Sequence, residues 1–171
     1  MIRGYQKIIA MIKKELPFTV EIYASSEELN CTDADLLTQA RTVTKKAYAP
    51  YSNFKVGAAA VLEDGTIITG TNQENASYPV GICAERVLLS AVASQFANAG
   101  ILTMAISYDN LNGESNHPIS PCGICRQSLA EYEERTHQPI RIILSGLKGE
   151  VYIIEKANHL LPLTFSLWDM K

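Results

Sequence analysis

Hydrophobic positions along the chain follow a helical spacing in some stretches and a strand-like spacing in others. Between residues 32 and 49, apolar residues recur every three to four positions after Thr32 or Asp33, each a candidate N-cap. The stretch "FKVGAAAVLEDGTIITG" has two apolar-rich runs joined by Asp64-Gly65, which predicts a β-hairpin. The elements predicted after it are a helix over 83–100, a strand over 101–109, a polar loop over 110–120, a helix over 122–136, a strand over 139–146 and a further strand over 150–155.

This order of elements predicts the architecture. Helices that alternate with apolar strands indicate an α/β fold, a three-layer α/β/α sandwich with a mixed sheet and helices on both faces. Two consecutive strand–helix–strand units would bring the helix starts at Cys83 and Cys122 to the same end of the sheet. Residues 1–31, with a predicted strand over 18–25, are interpreted as an N-terminal extension, and residues 32–171 as the main domain.

Composition narrows the class of protein. The 171 residues suit one domain, and a net charge of −3 argues against a protein that binds a nucleic acid polymer. The local basic stretch "RTVTKKAYAPYSNFK" is interpreted as a solvated helix face. Four cysteines are too few for a disulfide scaffold, and we expect neither a signal peptide nor a transmembrane segment. We therefore expect a reducing, cytoplasmic setting without a membrane partner, where clustered cysteines are more often metal ligands or catalytic groups.

The cysteines carry the first candidate chemistry. Cys122 and Cys125 form a C-x-x-C pair at a predicted helix start, a pattern shared with redox motifs and structural zinc sites. The helix N-terminus favours ionised thiols there, and a divalent cation would relieve their mutual repulsion. Cys83 also opens a helix, 39 positions earlier. Three thiolates can hold Zn²⁺ and leave a fourth tetrahedral position open, as in catalytic zinc sites.

Glu85 favours a catalytic site over a structural one. It lies two residues after Cys83, poorly placed to be a ligand itself, and a carboxylate there can take a proton from bound water and pass it on. Arg86 and Arg126 flank the cysteines and would offset the negative charge of zinc with three thiolates. The simpler alternative is that Glu85 and Arg86 form an ordinary first-turn pair on a helix. Three cysteines at helix starts argue against that alternative.

Four stretches together resemble the cytidine deaminase family in its small-subunit, homotetrameric form. They keep the family's order and spacing, and they are "AYAPYSNFKVGAA", "NQENASYPVGICAER", "SPCGICRQ" and "LLPLTF". The resemblance implies a zinc enzyme whose catalytic domain is 32–171, and a homotetramer with shared active sites. The chain departs from the family pattern in two places. The extension before Thr32 is longer than in a minimal member, and Ile124 stands between the two cysteines where a smaller residue is usual.

The resemblance also implies roles for individual residues. Cys83, Cys122 and Cys125 would be the zinc ligands, and Glu85 the proton shuttle. The other implied contacts are Asn72 and Glu74 at the ribose 3′-hydroxyl, Phe54 at the pyrimidine, the backbone of Ala84 and Ser120 at the base, and Ala76, Tyr78 and Phe165 at a neighbouring subunit's site. Asn72 and Glu74 alternate on an extended segment, so their side chains would point the same way.

The function that follows from these roles is hydrolytic deamination of cytidine and deoxycytidine to uridine and deoxyuridine, with release of ammonia, in pyrimidine salvage. The alternative is deamination of another amino-substituted nucleoside, such as a nucleoside antibiotic, or of a nucleotide. No basic residue stands beside "NQEN" to meet a 5′-phosphate. A polynucleotide editor and a non-enzymatic zinc-stabilised module are weaker alternatives, the former because of the acidic pI.

Overall fold

A computed structural model, which describes residues 11–171, shows one mixed sheet of six strands. In chain order the strands are β1 (Glu21–Tyr23), β2 (Phe54–Leu62), β3 (Ile67–Thr71), β4 (Ile101–Asn110), β5 (Arg141–Ser145) and β6 (Val151–Ile154). Their order across the sheet is β1-β6-β5-β4-β2-β3. Among these strands β4 and β5 pair in parallel and the other neighbours pair antiparallel, so the predicted mixed sheet is confirmed.

Three α-helices cover both faces of this sheet. They are α1 (Cys31–Val43), α2 (Ala84–Gln95) and α3 (Gly123–Thr136). Leu88 of α2 and Leu129 of α3 belong to one buried cluster, which includes Ala58 of β2. Leu37 of α1 belongs to a second cluster with Ala59, the next residue of the same strand. Because neighbouring strand residues point to opposite faces, these two clusters lie on opposite sides of the sheet. The three-layer α/β/α arrangement is confirmed.

The strand directions position the functional region. β2 is antiparallel to both β3 and β4, so β3 and β4 run in the same direction, as does β5. α2 follows β3 and α3 follows β4. Both helices therefore begin at the carboxyl ends of strands that run in the same direction, which is where α/β proteins place their ligands.

The first two helices differ at their ends from the prediction. α1 begins after Asn30, whose side chain accepts a hydrogen bond from the Asp33 N–H at 2.9 Å, and not at Thr32 or Asp33. It ends at Val43 and a single 3₁₀ turn over 44–46 follows, so the predicted end at 49 is wrong. The start is therefore decided by the Asn30 side chain, which caps a free N–H of the first turn.

The end of α2 also differs from the prediction. This helix was predicted to close at Gly100, but it ends at Gln95. The chain then turns through Asn98, which has a positive φ of 63°. Asparagine tolerates the left-handed conformation better than most residues, so a glycine is not required for the turn. The hairpin prediction is confirmed, with Gly65 at φ 84° between β2 and β3.

The predicted N-terminal extension contributes to the sheet. β1 pairs antiparallel with β6 at one edge, with Glu21 opposite Ile153. Residues 1–10 of the extension lie outside the described residues, and the boundary between 31 and 32 stays a prediction.

Across residues 11–171, no helix is both long enough and apolar enough to cross a membrane.

Candidate active site

Three cysteine sulfurs converge where α2 and α3 begin. Cys83 is the N-cap of α2, Cys122 is the N-cap of α3, and Cys125 lies in the first turn of α3. The Sγ atoms of Cys83 and Cys122 are 3.8 Å apart, and those of Cys122 and Cys125 are 3.5 Å apart. All three sulfurs lie within 4.8 Å of one another. The structure therefore brings together the three residues that the sequence singled out.

This arrangement fits a zinc ion. A tetrahedral Zn²⁺ with Zn–S bonds of about 2.3 Å holds neighbouring thiolate sulfurs about 3.8 Å apart. The two measured sulfur separations lie close to that value. Three protein thiolates leave one tetrahedral position for water or substrate, which distinguishes catalytic from structural zinc sites.

The pKa values of two of these thiols are also shifted in a way that favours binding of a cation. A hydrogen bond with Cys125 lowers the pKa of Cys83 to about 6. The same hydrogen bond, together with burial, raises the pKa of Cys125 well above its usual range. These shifts favour the thiolate form at Cys83 and the thiol form at Cys125. A divalent cation would displace the Cys125 proton and allow both sulfurs to bind as thiolates.

Glu85 lies in the first turn of α2 and is only 4% exposed. Burial raises the pKa of its carboxyl group above the ordinary value. The side chain lines the same cavity as Cys83 and Cys122, a cleft of about 320 Å³. A carboxyl group whose neutral form is favoured, and which faces a cavity beside a metal site, is suited to accept and return protons.

Asn72 and Glu74 line this cavity too, and the backbone orients both side chains. The Asn72 Oδ1 accepts a hydrogen bond from the Val56 N–H at 2.7 Å, and its Nδ2 donates to the Phe54 carbonyl at 2.8 Å. The Glu74 Oε2 accepts from the Tyr51 N–H at 2.9 Å. Because one amide hydrogen of Asn72 and the other oxygen of Glu74 are not used in these bonds, both side chains retain capacity for a ligand.

Phe54, the predicted pyrimidine contact, is not among the residues that line this cavity. Its ring stacks on Tyr108, with centroids 4.9 Å apart and an interplanar angle of 11°. Among the described residues, the aliphatic side chains that line the cavity are Val56, Ile82, Ile106 and Ile119. Sequence reasoning did not single these four out. Strand alternation was the available signal, since Val56 lies two positions after Phe54 and so shares its face.

Of the five other predicted contacts, two line this cavity and three do not. Ser120 and Tyr78 line it, and Tyr78 is 74% exposed. Ala84 is fully buried at the start of α2. Ala76 is exposed, and so is the Phe165 side chain. The backbone carbonyl of Phe165 accepts a hydrogen bond from the Gln127 side chain at 2.8 Å.

The two predicted arginines have different environments. The charge of Arg86 contributes to lowering the pKa of Cys83. Arg126 instead donates to two backbone carbonyls, from Nε to Pro121 at 2.8 Å and from Nη1 to Leu160 at 3.0 Å. It therefore ties the residue before Cys122 to the C-terminal part of the chain.

Comparisons with known proteins agree with this geometry. Residues 31–138 match the family model described as the cytidine and deoxycytidylate deaminase zinc-binding region. A cytidine deaminase from Halalkalibacterium halodurans is 36% identical over 135 residues, which cover 79% of this chain and 95% of that protein. A cytidine deaminase from Sporosarcina psychrophila is also 36% identical, over 79% of this chain and 92% of that protein.

Solved structures show the same likeness. The crystal structure of cytidine deaminase from Burkholderia pseudomallei is 39% identical, with a TM-score of 0.68, over 77% of this chain and 97% of that one. The crystal structure of cytidine deaminase from Mycobacterium tuberculosis is 30% identical, with a TM-score of 0.62, over 81% of this chain and 100% of that one. The three-cysteine site, the fold and the family match all agree, and the chain belongs to the zinc-binding cytidine and deoxycytidylate deaminase family.

Proposed function

We propose that this protein hydrolyses the 4-amino group of cytidine and deoxycytidine, giving uridine and deoxyuridine and releasing ammonia. The observation that carries the proposal is the placement of Cys83, Cys122 and the buried Glu85 on one cavity of about 320 Å³. Relatives named cytidine deaminase, with 36% identity over most of their length, support the same activity.

The reaction consumes one water molecule and releases one ammonia molecule. When bound by Cys83, Cys122 and Cys125, zinc supplies Lewis acidity, which lowers the pKa of a water molecule toward neutrality. Glu85 accepts a proton from this water and delivers it to N3 of the pyrimidine as oxygen adds at C4. Glu85 then moves a second proton from the hydroxyl now on C4 to the 4-amino nitrogen. The bond between C4 and this nitrogen breaks, and ammonia leaves. The raised pKa of Glu85 suits both the accepting and the donating role.

The residues that line the cavity favour a nucleoside over a nucleotide. Asn72 and Glu74 supply a donor and an acceptor for the ribose 3′-hydroxyl, and a free base would leave both unpaired. Among the described residues that line this cavity, none is lysine, arginine or histidine. A 5′-phosphate would find no cation there and would face the Glu74 carboxylate.

The assembly we propose is a homotetramer with shared active sites, acting in the cytoplasm in pyrimidine salvage. Tyr78 lines the cavity while it is 74% exposed, and Phe165 is 59% exposed. Aromatic side chains such as tyrosine and phenylalanine are enriched at interfaces between subunits relative to the rest of the surface. Sedimentation velocity of the zinc-loaded protein tests this assembly, and a monomer at micromolar concentration would contradict it.

The activity is tested by the fall in absorbance on incubation of zinc-loaded protein with cytidine, deoxycytidine, cytidine 5′-monophosphate and cytosine in parallel. We expect turnover of the two nucleosides and little of the other two. Turnover of the monophosphate at the rate of cytidine would refute the nucleoside preference. If zinc is bound but none of the four reacts, the proposed substrate is wrong, and other amino-substituted nucleosides are to be assayed.

A further inference from the structure

Asn112 joins the loop after β4 to the segment 51–54 that precedes β2. Its Nδ2 donates a hydrogen bond to the Ser52 carbonyl at 2.9 Å, and its Oδ1 accepts one from the Asn53 Nδ2 at 3.2 Å. Beside this pair, the Leu111 N–H donates to the Asn53 carbonyl at 3.0 Å. Three hydrogen bonds therefore connect two segments that lie about sixty residues apart in the sequence.

The segment that Asn112 contacts also holds Glu74. The Glu74 Oε2 accepts hydrogen bonds from the Tyr51 N–H at 2.9 Å and from the Ser52 N–H at 3.3 Å. Ser52 thus donates its N–H to Glu74 and offers its carbonyl to Asn112. Hydrogen bonds from Ser52 and Tyr51 lower the pKa of Glu74, so they favour its ionised form. The orientation of Glu74 depends on where this short backbone segment lies.

That segment has an unusual backbone conformation. Asn53 has a positive φ of 56°, and its N–H donates to the Ala49 carbonyl at 3.0 Å. A residue other than glycine occupies this left-handed region at a cost of about 1 kcal/mol, less for asparagine than for most. Contacts from outside the segment are therefore needed to hold it in one conformation.

Asn112 is itself held by the end of the sheet. Its N–H donates to the Asn110 Oδ1 at 3.1 Å, and Asn110 is the last residue of β4. The Asn110 N–H in turn donates to the Ser115 Oγ at 2.8 Å, and Ser115 is only 7% exposed. Asn112 is thus hydrogen-bonded both to the last residue of β4 and to the Ser52 carbonyl, and it joins the sheet to the 51–54 segment.

We propose that Asn112 is a positioning residue for the ribose: it fixes the Ser52 backbone so that Glu74 presents its carboxylate to the substrate's 3′-hydroxyl. The inference rests on the proposed function, in which Glu74 binds that hydroxyl. Asn112 does not line the cavity that holds Cys83 and Glu85 and has no part in the chemical step. Its contribution is to substrate affinity.

The test compares cytidine with 3′-deoxycytidine, which lacks only the hydroxyl in question. For Asn112→Ala we expect the KM for cytidine to rise about three- to tenfold, the effect of one or two weakened hydrogen bonds, with kcat changed less than about twofold. For 3′-deoxycytidine the same variant should change KM by less than about 1.5-fold. With 2′-deoxycytidine, which keeps the 3′-hydroxyl, the increase should match that seen for cytidine.

Two further variants make the comparison specific. Glu114→Ala is the control, because Glu114 lies in the same loop but pairs with the exposed Lys148 at 3.2 Å. In the described structure its side chain makes no hydrogen bond to the 51–54 segment. This variant should leave KM unchanged for all three nucleosides. Asn53→Gly keeps the backbone conformation available and removes only the side-chain bond to Asn112, so it should reproduce part of the Asn112→Ala effect. Thermal unfolding of each variant confirms that it is folded.

The outcomes separate the two proposals. Equal KM increases for cytidine and 3′-deoxycytidine would show a general loosening of the site and overturn the inference, and so would an unchanged KM for cytidine. If the unmodified protein turns over no cytidine, the proposed function fails, and the inference fails with it. That result is visible before any variant is measured.

Discussion

The sulfur atoms of Cys83 and Cys122 lie 3.8 Å apart, although 39 residues separate them in the chain. Each cysteine is the N-cap of its helix, and both helices begin at the end of the sheet where β3 and β4 finish. A metal bound there would connect α2 to α3 directly. Zinc is therefore expected to stabilise the fold as well as to serve the reaction.

Removal of one ligand tests the metal site. Cys125 is completely buried, and Cys125→Ser should lower bound zinc from about one per chain to well below that after dialysis against a chelator. Cys31→Ser is the matched control, because Cys31 is exposed at the start of α1 and is not part of the cysteine group. Metal analysis and thermal unfolding are the measurements. Stoichiometric zinc in dialysed Cys125→Ser would refute the assigned ligand set.

Glu85→Gln tests the proton transfer. An amide of the same shape preserves packing at this buried position but cannot accept a proton, so kcat should fall about 10²- to 10⁴-fold. Bound zinc and the melting temperature should stay close to those of the unmodified protein. Glu131→Gln, at an exposed position of α3, makes the same chemical change away from the cavity and should leave kcat unaltered. Near-normal turnover by Glu85→Gln would rule out the proposed role.

Glu133 is expected to stabilise the C-terminal part of the chain. Its Oε1 accepts hydrogen bonds from the Ile140 N–H at 2.7 Å and the Ala157 N–H at 2.9 Å, and its Oε2 accepts from the Asn158 N–H at 2.9 Å. Glu133→Ala would leave three donors without their partner and should lower the free energy of unfolding by about 2–4 kcal/mol. Urea unfolding measures this. Glu131→Ala, at an exposed position, should change stability by less than about 0.5 kcal/mol.

The same carboxyl group predicts a pH dependence. Burial raises the pKa of Glu133 in the folded protein above its ordinary value. Its stabilising contribution is therefore full below the unfolded pKa and is lost as the pH rises through the folded pKa. The stability of the unmodified protein relative to Glu133→Gln should thus decrease as the pH rises above the ordinary glutamate pKa of about 4. A difference that grows with pH would contradict this sign.

Asp33 and Arg141 form an ion pair that joins α1 to β5. Two parallel hydrogen bonds of 2.7 and 2.8 Å connect them, and the Asp33 side chain is only 8% exposed. Asp33→Asn should lower the free energy of unfolding by about 1–3 kcal/mol, since it weakens a largely buried pair. Glu114→Gln breaks the exposed pair with Lys148 and should cost less than about 0.5 kcal/mol. Equal losses in the two variants would contradict the role of burial.

Sequence reasoning was most successful where a motif acts over a few residues. The hairpin around Gly65 and the placement of Cys122 at a helix start follow from local turn and capping chemistry. It failed at the start of α1, which the Asn30 side chain caps, and at the end of α2, after which Asn98 turns the chain at a positive φ. Asparagine is ambiguous in a sequence because it serves as cap, turn residue or ligand.

The sequence by itself determined the chemistry of this protein, because thiols, a carboxylate and their offsets from helix starts carry that information residue by residue. The tertiary structure alone decided which residues pack against or hydrogen-bond to the segments predicted to contact the substrate. Tyr108 lies behind Phe54, and Asn112 reaches Ser52 across about sixty residues. Such contacts join side chains whose separation in the chain is unrelated to their distance in space, so only the packed sheet and its loops can bring them together.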